Sequence, residues 1–210
     1  MLSMIKAVLF DLDQTLIDFI KMKVGACRSA IKSMIKVGLN IDEKTGLKEL
    51  METYFRLGIE SDIAFTKFLE EQTGKVDKKI LQAGIEGYLK KKPDFLRPYP
   101  YVLETLEMLK NRGMKLGIIT DAKRKKAMQR IKAMNITDFF DIIITFEDTG
   151  EKKPSKKPFR LAMKKLNLKP VEILFVGDSM ERDIQPAKNL GMKTLRVKRN
   201  EDFRKIKELI

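Results

Sequence analysis

Five short apolar runs, at 4–10, 115–119, 141–145, 172–177 and 193–197, punctuate the 210 residues and are followed by stretches of helical periodicity. The clearest of those helical patterns are 123–134, 157–166, 181–190 and 201–209. Runs of this length and composition are strands. Strands separated by helices pair in parallel, with the helices covering both faces of the sheet. The alternation therefore predicts an α/β fold before composition is considered. Asn111-Arg112-Gly113 and Leu190-Gly191 read as helix stops ahead of the next strand.

Residues 17–96 break the rhythm. They contain no strand pattern, only helical periodicity interrupted by Gly38, Gly46, Gly58 and Gly74, with Asp42, Ser61 and Asp77 placed as N-caps. The reading is a helical domain inserted after the first strand. The core is then 1–16 plus 97–210, and Leu96-Arg97-Pro98-Tyr99-Pro100 is the return linker.

Composition narrows the chemistry. The chain has no His, which removes His-based triads, His metal sites and imidazole acid–base catalysis. Its one cysteine, Cys27, cannot close an intrachain disulfide, which fits a cytoplasmic location. No apolar stretch is long enough to span a bilayer. The run MLSMIKAVLF is too short for a secretory signal and has no small-residue cleavage site. The formal charge of +14 raises the question of nucleic acid. The basic residues are spread over amphipathic helices and do not interleave with aromatics, so they read as solvated faces, of the Lys- and Glu-rich kind seen in thermophiles. Nucleic-acid binding is not expected as the main function.

The first strand ends in an unusual way. In "KAVLFDLDQTL", Asp11 and Asp13 stand two apart and so point to one side of an extended chain, where like charges disfavour each other. In a parallel sheet, ligands bind beyond the carboxyl ends of the strands. Thr120 and Asp121 follow the second strand, Lys153-Pro154 comes after the third, and Asp178 and Asp183 follow the fourth. Taken singly, Thr120 and Asp121 could cap a helix, Lys153 could be one of a solvated basic cluster, and Asp178 and Asp183 could serve a turn and a helix start. In this order, acids, a hydroxyl and a lysine converge on one sheet edge.

DxDxTL at 11–16, a strand ending in Thr120, GxxKPxxxxF at 150–159 and GDSxxxD at 177–183 together resemble the four motifs of the haloacid dehalogenase superfamily of phosphohydrolases. The insert matches the subgroup with a small α-helical cap between the first and second motifs. The resemblance implies a Rossmann-like sheet of order 5-4-1-2-3 and two departures from pattern. Gln14 stands where many members have Gly, and Tyr101 stands where Gly is usual.

The resemblance also implies roles. Asp11 would attack phosphorus to give an aspartyl-phosphate, and Asp13 would protonate the leaving alcohol and then deprotonate water. Mg²⁺ would be held by Asp11, Asp178 and the main-chain carbonyl of Asp13, with Asp183 holding metal-bound water or orienting its neighbours. Thr120 and Lys153 would bind phosphoryl oxygens, helped by N–H groups near Leu12 and Asp121. Asp13 argues against the carbon–halogen and phosphonate-cleaving members, which lack that second acid. The expected function is hydrolysis of a small phosphorylated metabolite by a monomer or homodimer. A sugar-phosphate mutase and a nucleic-acid end phosphatase are the alternatives. Specificity is expected from the cap, where Lys21, Lys23 and Arg28 would be either solvated or a contact for a second anion.

Overall fold

The computed structural model describes residues 4–198 and 200–210. Five strands form one parallel sheet: β1 (Ala7–Phe10), β2 (Lys115–Ile119), β3 (Ile142–Ile144), β4 (Ile173–Gly177) and β5 (Lys193–Arg196), in the order β3-β2-β1-β4-β5. This is the order the family resemblance implied. β1 lies at the centre, with Phe10 level with Ile118 of β2 on one side and Val176 of β4 on the other. Every residue of β1 is buried, as a strand covered on both faces requires, and its sequence AVLF is accordingly unbroken by a polar residue.

The helices in chain order are α1 (Phe19–Lys36), α2 (Glu43–Leu57), α3 (Ala64–Thr73), α4 (Lys78–Lys91), α5 (Val102–Asn111), α6 (Arg124–Ala133), α7 (Phe146–Thr149), α8 (Lys157–Leu166), α9 (Gln185–Lys188) and α10 (Ile206–Leu209). The chain divides into two compact units, residues 1–18 with 97–210 and residues 19–96.

In the first unit, Ala7 and Leu9 of β1 face a cluster with Phe159, Ala162 and Leu166 of α8 and Phe175 of β4. The Phe159 and Phe175 rings sit 5.0 Å apart. Each such side chain contributes about 1.5–3 kcal/mol on burial. Val8 and Phe10 take the opposite face, where Phe10 meets Phe140 edge-on at 6.4 Å. The two helix stops are found where expected, with Gly113 and Gly191 both at positive φ.

Two C-terminal helices differ from expectation. The 181–190 pattern is a wide π-type turn, Met180–Ile184, followed by the short α9. Pro186 has no N–H to offer the preceding turn, and the Ile184 N–H reaches back five residues to the Ser179 carbonyl at 3.1 Å. The 201–209 pattern is a 3₁₀ stretch, Asn200–Lys205, running into α10. No helix among the described residues is long and apolar enough to cross a membrane.

Gln14 and Tyr101, the two departures from the family pattern, have φ of 65° and 69°. Both occupy the left-handed region where Gly is free of Cβ strain, which explains the family's preference. Tyr101 offsets some of this by stacking on the Arg204 guanidinium, 4.2 Å from its ring centroid.

The second unit is built from α1–α4. Asp42 and Asp77 cap α2 and α4 through their carboxylates, but Ser61 does not cap α3. That helix starts at Ala64, and the Ser61 hydroxyl instead accepts the Ile63 N–H at 3.3 Å. α1 and α4 pack closely because Gly87 lacks a side chain; a Cβ there would lie 2.8 Å from the Ser29 carbonyl. Cys27 is buried in this core, and burial pushes its thiol pKa up to about 12. Lys23 is not solvated. It is buried, with its Nζ 3.5 Å from the Tyr54 ring centroid and 3.4 Å from the Tyr88 hydroxyl. The stem of a lysine packs as a hydrocarbon, and its ammonium is held against ring faces. Arg28 stays at the surface and meets Glu43 at 3.7 Å.

Candidate active site

The sheet order places β1 between β2 and β4, so the chain leaves β1 at the point where strand order reverses. Crevices open at such switch points beyond the carboxyl ends. Asp11 is the first residue past β1, and its N–H extends the ladder to the Val176 carbonyl of β4 at 2.9 Å. Thr120 is the first past β2, with its N–H on the Ile144 carbonyl at 2.9 Å. Asp178 is the first past β4. Three adjacent strands therefore present these side chains along one edge.

Asp11 is buried and held at both oxygens. Lys153 Nζ donates to Oδ1 at 2.5 Å and the Thr15 hydroxyl donates to Oδ2 at 3.0 Å. Lys153 is itself buried, and its ammonium also donates to Asp183 Oδ1 at 2.6 Å and the Ile119 carbonyl at 3.0 Å. All three of its hydrogens are committed within the protein. Burial is the largest influence on Asp11 and, against the opposing pull of Lys153, lifts its carboxyl to about 7. Burial works against the charge on Lys153 too, but Asp11, Asp183 and Asp121 outweigh it and hold the ammonium above its ordinary range.

Asp183 closes the far side. Its second oxygen accepts the Ser179 N–H at 3.0 Å, a contact set up by the π-type turn. Gly177 makes room for it: a Cβ on Gly177 would stand 2.6 Å from the Asp183 Cβ and 2.7 Å from Oδ2. Gly177→Ala is expected to cost about 1–3 kcal/mol by overpacking and to weaken the Lys153–Asp183 contact. A thermal melt and a turnover assay check it, and a variant matching wild type in both would show that Asp183 has room to move.

One oxygen from each of Asp11, Asp178 and Asp183 lies within 4.8 Å of the other two. Asp178 Oδ1 is buried with no hydrogen-bond partner, and burial, reinforced by Asp183, raises its pKa. Three carboxylates against one ammonium leave an excess of negative charge, and an orphaned buried oxygen needs a partner. The residues fit a divalent cation with a preference for hard oxygen ligands.

Asp13 lies outside this group. Its Oδ2 accepts from Nη1 of Arg130 at 2.7 Å, while its Oδ1 is buried without a hydrogen-bond partner. Burial raises its pKa, with Arg130 the main opposing influence. Neither Thr120 nor Asp121 caps α6, which has no side-chain cap at Lys123. The Thr120 oxygen accepts the Ala122 N–H at 3.2 Å, which leaves its own proton available. The Asp121 carboxylate is engaged on the Lys153 loop, accepting the Lys153 N–H at 2.8 Å and meeting Arg182 at 3.7 Å. Arg130, Thr15 and the Ile119 carbonyl had not been singled out from sequence. Arg130 carried a legible signal, since it falls on the inward stripe of α6 with Ala127 and Ile131.

Residues 8–197 match the haloacid dehalogenase-like hydrolase family over most of the chain. The chain belongs to that family. The hydrolase is 41% identical over 194 residues to the glyceraldehyde 3-phosphate phosphatase of Methanocaldococcus jannaschii, covering 92% of this chain and 85% of the relative. It is 39% identical to the enzyme of the same name from Pyrococcus abyssi, covering 91% and 81%. Among solved structures it resembles a HAD phosphatase from Thermococcus onnurineus, with a TM-score of 0.72 and 25% identity over 98% of this chain and 97% of that one.

Proposed function

We propose that this hydrolase is a Mg²⁺-dependent phosphomonoesterase acting on a small phosphorylated metabolite of about triose size, through an aspartyl-phosphate on Asp11. The observation that carries the reading is Asp11 itself, a buried carboxylate at the central strand end, fixed at both oxygens and shared by an ammonium and an acidic metal-ligand set. The relatives named as glyceraldehyde 3-phosphate phosphatases support the substrate class.

In this mechanism a carboxylate oxygen of Asp11 attacks phosphorus and the bond from phosphorus to the leaving oxygen breaks. Asp13 gives its proton to the departing alkoxide. It then takes a proton from the water that attacks the phospho-aspartate, and inorganic phosphate leaves with Asp11 restored. Asp11 and Asp178, with the Asp13 carbonyl, would hold Mg²⁺, and Asp183 would orient what surrounds it. When bound, the metal supplies charge that lets two anions approach and stabilises the phosphoryl oxygens. Thr120 donates its free proton to a phosphoryl oxygen. Lys153 holds the nucleophile in place, and an arriving phosphoryl group takes over one of its three hydrogens. Asp121 acts by fixing the Lys153 main chain, and N–H groups near Leu12 and Asp121 would add main-chain donors to the phosphoryl oxygens.

The test is phosphate release from triose, glycolate and sugar phosphates, with Mg²⁺ and then with EDTA. Release with Mg²⁺ that EDTA abolishes is the expected result. Folded protein that frees no phosphate from any of them in Mg²⁺ overturns the reading.

A further inference from the structure

Arg130 heads the fully buried side chains by volume, yet it comes from a helix whose sequence, RKKAMQRIKA, is otherwise that of a solvated basic surface. A buried guanidinium is costly unless something specific compensates it. At Asp13 it meets one oxygen of the two. A pair serving stability alone favours the two-pronged arrangement, in which both carboxylate oxygens are bound. Here Nη1 takes Oδ2 at 2.7 Å and Oδ1 is left buried and bare. α6 is anchored at its start, where the Arg124 N–H donates to Glu147 at 2.8 Å and the Arg124 side chain bonds both oxygens of Asp148 at 2.6 Å. Arg130 thus projects from a fixed helix on to a loop that turns through left-handed Gln14 at the residue after Asp13.

We infer that Arg130 is a positioning residue for proton transfer: it pins one oxygen of Asp13 so that the other stays bare for the leaving group and the attacking water. The inference rests on the assignment of proton transfer to Asp13. Arg130 touches no reacting atom; it fixes which oxygen of Asp13 carries the proton and where that oxygen stands.

The test compares phenyl phosphate with p-nitrophenyl phosphate, two probes of similar shape. Nitrophenolate departs without a proton, whereas phenolate needs one. Leaving-group release in the first turnover is measured with Mg²⁺ for Arg130→Met, Arg130→Lys and Asp13→Asn. General acids contribute about 10²–10⁴-fold, so Asp13→Asn is expected to lose on that scale on phenyl phosphate and far less on the nitro compound. Arg130→Met is expected to lose at least about tenfold more on phenyl phosphate than on p-nitrophenyl phosphate. Arg130→Lys, which keeps the charge but not the fork, falls between it and wild type. Should Arg130→Met fail to fold, the split in Arg130→Lys decides. Equal losses on the two probes in the Arg130 variants, with Asp13→Asn still split, overturn the inference. Equal losses in Asp13→Asn overturn the assignment of Asp13 and the inference with it.

Discussion

Asp11→Asn is expected to abolish phosphate release, by at least about 10⁴-fold in kcat, the scale on which removal of a covalent nucleophile acts. An amide has the shape of the carboxylate but no anionic oxygen to attack phosphorus. The fold should survive, because Asp11 in its ionised form is a burden on the folded state. Burial lifts its pKa to about 7, above the value near 4 of an unfolded aspartate. Between those values the folded chain holds a proton that the unfolded chain has released. Stability contributed by this group therefore falls as pH rises from about 4 through about 7, and is level above that. Asparagine does not titrate. In EDTA the variant should melt no lower than wild type at pH 8, and its advantage should shrink toward pH 4. Turnover retained by the variant would remove the covalent mechanism. A variant melting well below wild type at pH 8 would show that the Lys153 pairing outweighs the burial of Asp11.

Lys153→Met is expected to have the largest effect on stability. It leaves Asp11 and Asp183 buried without their shared cation and the Ile119 carbonyl without its donor. Removing one partner of a buried ion pair costs about 3–5 kcal/mol. For a chain of this length that is a fall of about 6–20 °C in Tm, at about 2–4 °C per kcal/mol. Activity should fall with it by about 10³-fold, because Asp11, the proposed nucleophile, loses one of its two anchors. The neighbouring Lys152 is exposed, and Lys152→Met should stay within about 0.5 kcal/mol of wild type. Thermal melts of the two variants side by side check the contrast. Equal Tm values would show that the buried ammonium does not hold the strand ends together.

The site residues named from sequence were legible for a topological reason. A parallel sheet sends every strand the same way, so the residue after each strand reaches the same edge, and a list of strand ends is already a list of neighbours. Asp11, Thr120 and Asp178 could be gathered on that rule alone, and the family resemblance added the sheet order that puts their strands side by side. Lys153 and Asp183 needed more. Lys153 looks no different from Lys152 or Lys156 along the chain, and the three acceptors that bury it come from residues 11, 119 and 183. Asp183 reaches it through a π-type turn, where the pattern of 181–190 had suggested plain helix.

Charged side chains on helices were the least legible. Lys23 and Arg130 each sit among other basic residues, and a charge on a helix is usually solvated. Both are buried, one against two tyrosine rings and the other on Asp13. A sequence gives the period of a helix but not the partners waiting on the face it buries. Gln14 and Tyr101 mark the opposite limit: they break the family's glycine pattern, yet the chain holds the left-handed conformation at both.

By itself the sequence determined the class of fold, the helical insertion and the order in which acids, hydroxyl and lysine reach the sheet edge, because these depend on local periodicity and strand direction. Tertiary structure alone decided the charges: which ammonium is spent on which carboxylate, which oxygen of Asp13 is bound and which of Asp178 is bare. Burial and pairing set those, and the groups that do so are far apart in the chain.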